Sequence, residues 1–249
     1  MIHIENITKA FSGKTILDGI SGVFEQGKTN LIIGASGTGK SVLLKCIVGL
    51  IRPDSGTVRY NDRDFTHGDK DLKTEIRREI GMLFQGVALF DSLNVENNVK
   101  FPLDTLTDTP EDEKLDRVNF CLKRVGLEGS NKKMPSELSG GMQKRVGIAR
   151  AIVNDINYLF CDEPNSGLDP QTAVVIDDLI KEITEELNTT TIVVTHDMNS
   201  VIGIGDHILF LYKGHKLWEG SNKNIIDTEV QELRDFLFAN KLMKDGATF

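Results

Sequence analysis

The chain has 249 residues, with 37 acidic and 29 basic side chains and a formal net charge of −8. This acidic balance argues against a nucleic-acid partner, because proteins that bind nucleic acid usually carry a basic stripe. The length fits one domain. No stretch approaches the roughly 20 apolar residues of a spanning helix, and we expect no secretory leader at the start of the chain. We therefore expect contact with a membrane only through partners.

A glycine-rich segment early in the chain separates a predicted strand, residues 29–33, from a predicted helix, residues 41–48. It fits the pattern G-x-x-x-x-G-K-[ST], and the candidate binding residues are Gly34, Ser36, Gly37, Thr38, Gly39, Lys40 and Ser41. Small residues let backbone N–H groups surround a phosphate, while Lys40 can reach the β- and γ-phosphates and Ser41 can bind Mg²⁺. We therefore predict a nucleoside triphosphate site; the alternative is a strand–helix turn that binds nothing.

The middle of the chain is rich in predicted helices. Residues 110–113 combine a proline with three acidic residues, which is typical of a helix start. A later helix is predicted over residues 142–153, directly after Ser139, Gly140 and Gly141. Exposed amides at that helix start would form a second anion site, with Lys144 and Arg145 adding positive charge nearby. A capped helix without a ligand is the alternative.

Two carboxylates, Asp162 and Glu163, follow an apolar run at residues 158–161. In an α/β fold the carboxyl end of a parallel strand is where ligands bind. We predict that Asp162 holds Mg²⁺ through its water shell and that Glu163 orients and deprotonates the attacking water. Taken alone, the pair could also be an ordinary charge cluster at a strand end.

Near the C-terminus, a β-branched run at residues 189–195 predicts a central strand that ends at His196. Residues 229–238 predict a helix whose apolar positions are Val230, Leu233 and Leu237. We expect this helix to pack on its own domain. A second hypothesis is that the tail through Phe249 contacts a neighbouring ATPase or a small regulatory partner.

The ordered set of motifs resembles the ATP-binding cassette (ABC) ATPases. Leu138-Ser139-Gly140-Gly141-Met142 resembles the LSGGQ signature, with Met142 in the usual glutamine position. Further similarities are Leu83-Phe84-Gln85 to the Q-loop, Tyr158 through Pro164 to the Walker B strand, Ser166-Gly167-Leu168-Asp169 to the D-loop, and Thr195-His196-Asp197 to the switch histidine. These motifs run in the family's order along nearly the whole chain.

The resemblance implies an α/β fold of the P-loop NTPase, ABC ATPase type. It would contain a RecA-like core with an N-terminal antiparallel β-subdomain (1–88 and 155–225), a helical signature subdomain (89–154), and a C-terminal helix and tail (226–249). The implied catalytic residues are Glu163, His196 and Gln85, and the implied metal-binding residues are Ser41, Gln85 and Asp162. Phe11 would stack on adenine, while Ser139, Gly140, Gly141 and Asp169 would act at the second chain of a head-to-tail pair that encloses two ATP molecules.

Two functions remain open at this level. The first is the ATPase subunit of a transporter with a separate permease, and the second is an assembly scaffold of the iron–sulfur biogenesis type. The apolar segment 86–99 after Gln85 favours the transporter, because it suits a permease coupling helix. Residues 81–103 and 134–142 resemble the MlaF-like ATPases of lipid-asymmetry transporters. That resemblance implies an MlaE-like permease, an MCE-domain partner, phospholipid transport and a peripheral position at the cytoplasmic face of the inner membrane; an importer subunit for a small polar solute is the alternative.

Overall fold

The computed structural model describes residues 1–238. Its strands are β1 (Ile2–Phe11), β2 (Lys14–Phe24), β3 (Thr29–Ile33), β4 (Ser55–Tyr60), β5 (Arg63–Asp64), β6 (Ile80–Leu83), β7 (Tyr158–Asp162), β8 (Thr190–Thr195), β9 (His207–Tyr212) and β10 (His215–Gly220). Its helices are α1 (Lys40–Ile47), α2 (Lys70–Arg78), α3 (Val95–Leu106), α4 (Glu111–Arg124), α5 (Gly140–Ala151), α6 (Pro170–Leu187), α7 (Met198–Ile204) and α8 (Gln231–Phe238), with a 3-10 turn at Pro135–Glu137.

The N-terminal strands form an antiparallel four-stranded sheet in the order β2-β1-β4-β5. Side chains alternate between the two faces of a strand, so β1 turns Ile2 and Ile4 into the core while Glu5 stays exposed. The buried face packs on Leu43 and Leu44 of α1 and on Ile32 of β3. The predicted antiparallel β-subdomain is therefore present, and it covers one side of the helix that follows the glycine-rich loop.

A second sheet has six strands in the order β10-β9-β3-β8-β7-β6. The five strands from β9 to β6 run parallel, and β10 is antiparallel to β9. Strands β3, β7 and β8 are buried along their whole length, as expected for parallel strands with both faces covered. Because β3, β7 and β8 are neighbours, the residues that follow their carboxyl ends meet at one edge of the sheet.

Helices α3, α4 and α5 pack on one another beside this sheet. Their apolar side chains, including Val99, Val118 and Val146, belong to the same core as Leu31 and Leu159 of the central strands. The helical segment is thus joined to the sheet by continuous packing. The subdomain limits given above stay a prediction.

Two predicted helices begin at different residues from those expected. Helix α5 starts at Gly140 rather than Met142, because the Ser139 side chain caps the Met142 amide and so holds two glycines in the first turn. Helix α8 starts at Gln231, and its Leu233 and Leu237 are buried in the main core, which confirms that this helix packs on its own domain. The hypothesis about the tail through Phe249 lies outside the described residues.

Within residues 1–238, no helix is both long enough and apolar enough to cross a membrane.

Candidate nucleotide-binding and hydrolytic site

The glycine-rich loop follows β3 and leads into α1, as the sequence predicts. Gly34 has a φ of 147°, and a Cβ atom on it would lie 2.3 Å from the Leu211 carbonyl oxygen. Gly39 caps α1 in a left-handed conformation with a φ of 103°, where a Cβ would lie 2.8 Å from Leu17. Both positions therefore require glycine. The consequence is a loop that brings its backbone close to the N-terminus of α1, where N–H groups and the helix dipole favour an anion.

Lys40 is the buried cation of this loop. Its Nζ donates hydrogen bonds to the carbonyl oxygens of Gly34 at 2.8 Å and Ala35 at 3.1 Å. It also lies 4.0 Å from Oε1 of Glu163. Burial lowers the pKa of Lys40, while the negative charges of Glu163 and Asp162 oppose that shift. A positive charge held by loop carbonyls in this way is placed to receive phosphate oxygens.

Ser41 and Asp162 meet at the carboxyl ends of β3 and β7. The Ser41 hydroxyl donates to Oδ1 of Asp162 at 2.8 Å, and Asp162 is buried. A hydroxyl and a carboxylate are the hard oxygen donors that Mg²⁺ prefers, usually together with water and substrate phosphates. The donor set thus fits the magnesium ion that the sequence predicts, with Ser41 and Asp162 as the residues that would hold it.

Glu163 lies between two cationic or potentially cationic groups. One carboxylate oxygen faces Lys40, and the other lies 2.6 Å from Nδ1 of His196, the first residue after β8. The Glu163 backbone adopts a left-handed φ of 51°, and its N–H donates to the Val194 carbonyl at 2.9 Å. A non-glycine residue in that region is strained and often marks a functional position. The pairing fixes the carboxylate at the edge of the sheet next to the loop.

These groups line one cavity of about 560 Å³. The lining consists of Phe11, Ile16, Ser36, Gly37, Gly39, Lys40, Ser41, Val42, Gln85, Glu163 and His196. Phe11, at the end of β1, is 46% exposed, so its ring is available to a planar group in the cavity. The sequence proposed most of this lining, but not Ile16 or Val42.

The signature residues lie elsewhere on the surface. Ser139 and Gly140 are exposed at the start of α5, whereas Gly141 is buried, and a Cβ on it would lie 2.5 Å from Cγ2 of Thr172. Thr172 in turn donates to Asp169, the N-cap of α6, at 2.6 Å, and this hydrogen bond lowers the pKa of Asp169. The signature and the D-loop are therefore neighbours, and neither lines the cavity that contains Lys40.

The sequence suggested that Lys144 adds positive charge near the signature, but the structure buries this side chain. It is 4% exposed, and its Nζ donates to the carbonyl oxygens of Gln85 at 2.7 Å and Glu163 at 3.3 Å. Burial lowers its pKa, against the opposing effect of nearby negative groups. Arg145 points the other way and donates to the carbonyls of Val125 and Gly126. Lys144 and Arg145 thus point to different sides of α5, and the charge pattern of the sequence does not show which side each one faces.

A second buried polar cluster links three segments behind the site. Asn165, which follows Glu163 by two residues, donates to Oδ1 of Asp177 on α6 at 2.8 Å and to Ser200 on α7 at 3.0 Å. Ser200 donates to Oδ2 of Asp177 at 2.8 Å. Burial raises the pKa of Asp177 to about 6, although both hydrogen bonds oppose that rise. The cluster connects the loop after Glu163 to the helix after His196, and the sequence analysis did not find it.

A groove of about 440 Å³ lies beside the Q-loop. Its walls include Phe84, Ala88, Phe90, Phe101, Leu106 and Arg150. The rings of Phe90 and Phe101 are 4.7 Å apart, and both are about two-fifths exposed, at 41% and 39%. The segment after Gln85 therefore presents an apolar, aromatic surface.

Known proteins share this arrangement. The model of the ABC transporter family matches residues 17–166. A probable ribonucleotide transport ATP-binding protein of Mycobacterium leprae is 36% identical over 241 residues, covering 97% of this chain and 70% of the relative. The intermembrane phospholipid transport system ATP-binding protein MlaF of Haemophilus influenzae is 36% identical over 237 residues, covering 95% and 90%.

Two further similarities bear on the fold and on specificity. The methionine import ATP-binding protein MetN 1 of Bacillus thuringiensis is 40% identical over 225 residues, covering 88% of this chain and 66% of the relative. A bacterial ABC transporter cassette solved as a dimer superposes with a TM-score of 0.81 at 34% identity, covering 89% of this chain and 99% of the cassette. Since the family model spans more than half of the chain and a relative 36% identical is matched over nearly all of both chains, the chain belongs to the ABC transporter family, as an ATP-hydrolysing subunit.

Proposed function

We propose that this ATPase powers a separate permease that moves phospholipids between bacterial membranes, at the cytoplasmic face of the inner membrane. Two observations support the lipid substrate. Residues 81–103 and 134–142 resemble the MlaF-like ATPases, and the H. influenzae relative, a phospholipid-transport protein, is matched over nearly all of both chains. An MlaE-like permease and an MCE-domain protein would be the partners.

The main support for ATP hydrolysis in this proposal is the position of Glu163, whose carboxylate lies 4.0 Å from Lys40 of the glycine-rich loop. Lys40 and the loop amides would bind the β- and γ-phosphates of ATP. Glu163 would accept a proton from the attacking water at a carboxylate oxygen, and His196, 2.6 Å away, would hold that carboxylate in place. A magnesium ion at Ser41 and Asp162, with Gln85 nearby, would neutralise charge on the phosphate oxygens.

The second chain of the proposed pair would supply Ser139 and Gly141. These residues lie at the N-terminus of α5, where backbone amides favour an anion, and yet they do not line the cavity of their own chain. Asp169 stands next to them through Thr172. A head-to-tail pair brings such a surface to the other chain's nucleotide, which is consistent with the dimeric form of the related cassette.

The groove beside the Q-loop would receive the permease. A coupling helix with an apolar face fits a groove lined by Phe90, Phe101 and Leu106, because burying aromatic surface drives such docking. Leu106 is 41% exposed, so the groove is open to solvent in this chain. This surface favours a transporter over a scaffold that works without a permease.

A small polar solute is the second candidate substrate, favoured by the 40% identity to the methionine import protein. The M. leprae relative is described as a probable ribonucleotide transport protein, so ribonucleotides are a third substrate class among the relatives. No residue of the hydrolytic cavity would contact the transported molecule. Substrate choice would therefore reside in the permease and its extracytoplasmic partner.

Affinity purification from detergent-solubilised native membranes tests this proposal. A multispanning permease, an MCE-domain protein and bound phospholipid are expected to accompany the wild-type chain. A matched Phe101→Ser chain, altered only at the groove, should lose the permease. Recovery of a permease with a solute-binding protein would indicate a small solute instead of phospholipid as the substrate. Recovery of soluble partners alone would contradict the transport function.

A further inference from the structure

Lys144 places a positive charge in the interior, and although the Asp162 and Glu163 carboxylates are near enough to influence its pKa, neither forms an ion pair with it. No acidic side chain of residues 1–238 forms an ion pair with it, and its ammonium group is held by the backbone carbonyls of Gln85 and Glu163. Burying a charge is costly unless strong hydrogen bonds compensate it. A neutral side chain would fill the same space at lower cost, so the charge at this position calls for a role beyond packing.

The two carbonyls belong to the two hydrolytic segments of the chain. Gln85 lines the nucleotide cavity, and Glu163 is the proposed general base. Glu163 has a left-handed φ of 51°, and its carbonyl also accepts from the Ser166 amide at 3.2 Å. Lys144 thus ties the strained residue of the sheet edge to the Q-loop, while another hydrogen bond keeps the Glu163 carbonyl satisfied.

A second cation on the same helix reinforces this contact. Arg150 donates to the carbonyl of Ala88 at 2.7 Å and to that of Val87, and these residues have φ values of 52° and 60°. Between the two cations, Gly147 lies against the Q-loop strand, since a Cβ there would be 2.6 Å from Leu83 and 2.7 Å from Val87. One face of α5 therefore holds the Q-loop along its length.

The same helix begins at the signature. Ser139 caps α5, and Lys144 lies five residues further, about 7.5 Å along a rigid helix. We propose that Lys144 is a positioning residue for hydrolysis: it transmits the position of the signature helix to Gln85 and Glu163 of its own chain. The signature's contact with a partner's nucleotide rests on the proposed function; the tie within the chain does not.

Substitution of Lys144 separates positioning from nucleotide binding. Lys144→Met removes the donors, and a displacement of the Glu163 carboxylate by about 1 Å should lower kcat by roughly 100-fold. The affinity for ATP should change by less than about twofold, because the loop contacts of Lys40 remain. Lys144→Arg keeps the charge and several donors, and should recover part of the lost kcat. Lys144→Gln keeps one uncharged donor group and should fall between Met and Arg.

Arg145→Met is the matched control, since Arg145 is the adjacent cation on α5 and its side-chain hydrogen bonds within residues 1–238 go to the carbonyls of Val125 and Gly126. It should keep the wild-type kcat. The experiment measures steady-state phosphate release and equilibrium ATP binding for each folded variant, with circular dichroism as the check on folding. A reduced kcat at unchanged affinity, restored by arginine, supports the proposal; if Lys144→Met does not fold, the Gln and Arg variants decide by the same criterion.

Wild-type kcat in both Lys144→Met and Lys144→Gln would overturn the proposal, and so would equal losses in the Arg145 control. A failure of the wild-type chain to bind a permease would contradict the proposed function but would leave the kcat comparison intact. The two failures are therefore distinguishable.

Discussion

The sheet edge and helix α5 differ in the groups that they hold. At the sheet edge, Lys40, Ser41 and Glu163 present their functional atoms directly to the cavity. Asp162 accepts a hydrogen bond from the Ser41 hydroxyl. Helix α5 instead uses Lys144 and Arg150 to hold the backbone of the segments that carry those atoms. In our proposal, the first region performs the chemistry, and the second positions the groups that perform it. The difference predicts that substitutions in the two regions have separable effects on binding and turnover.

Glu163→Gln should have the largest effect on the sheet edge. Loss of the proposed general base should lower the rate of phosphate release by about 10²- to 10⁴-fold, while ATP binding persists. Phosphate release measured beside equilibrium binding checks this outcome. Glu128→Gln, at an exposed carboxylate away from the cavity, is the control and should match the wild type. Near wild-type turnover in the Glu163 variant would refute the assignment.

Lys40→Ala should act on binding rather than on the chemical step. It removes a charge-assisted hydrogen bond to phosphate worth about 1.5–3 kcal/mol, so the Kd for ATP should rise by roughly 10- to 100-fold. Titration calorimetry measures the change, with Lys45→Ala as the control, because Lys45 is a half-buried lysine of α1 that does not line the cavity. An unchanged Kd would show that the loop does not bind the nucleotide as described.

The pH dependence of the free energy of unfolding tests the buried cluster of Asn165, Asp177 and Ser200. Burial raises the pKa of Asp177 in the folded chain to about 6, above its ordinary value of 3.8. A raised carboxyl pKa stabilises the folded state below the unfolded pKa, and this contribution is lost as the pH rises through about 6. Asp177→Asn does not titrate, so the wild type should lose about 2–3 kcal/mol relative to it between pH 4 and pH 8.

Urea unfolding of both chains across that pH range gives the difference in the free energy of unfolding. Asp116→Asn, at an exposed position on α4, is the control and should follow the wild type. The groups facing Asp177 are Asn165 and Ser200, with Asp178 and Asp197 as the nearby charges. A pH-independent difference between the wild type and Asp177→Asn would contradict a buried titrating carboxylate.

Phe101→Ser should have the smallest effect on the isolated chain. The ring is exposed and does not line the cavity that contains Lys40, so basal ATP hydrolysis should stay within about twofold, in the range of ordinary surface substitutions. Stimulation by the permease should be lost, because the groove loses half of its aromatic pair. ATPase assays with and without the purified permease measure both rates. Equal stimulation in both chains would exclude the groove as the docking surface.

Local motifs explain why the sheet edge could be predicted from the sequence. A loop that wraps phosphate needs glycines at fixed spacing, so the strand, loop and helix around Gly34 and Ser41 follow from neighbouring residues alone. Phe11 and Gln85 required the family resemblance, because a lone aromatic or glutamine has many uses. The roles assigned to these residues stay predictions.

The contacts of α5 could not be predicted in this way. Lys144 and Arg150 bind backbone carbonyls that lie 59 and 62 residues away in the sequence, and a carbonyl leaves no side-chain signature. Asp177 is equally hidden, since its partner Ser200 is on another helix. Only the folded chain shows which side of a helix turns inward. The sequence suggested that Lys144 adds positive charge near the signature, whereas the folded chain buries its ammonium group against two carbonyls.

In the proposed pair, one chain supplies the loop of Lys40 and a second chain supplies Ser139. Sedimentation velocity of the Glu163→Gln chain with and without ATP and Mg²⁺ can detect this pair, because hydrolysis no longer reopens it. We expect a monomer without nucleotide, a dimer with ATP, and a monomer again when Ser139→Arg is added. A monomer that binds ATP at saturation without associating would contradict it.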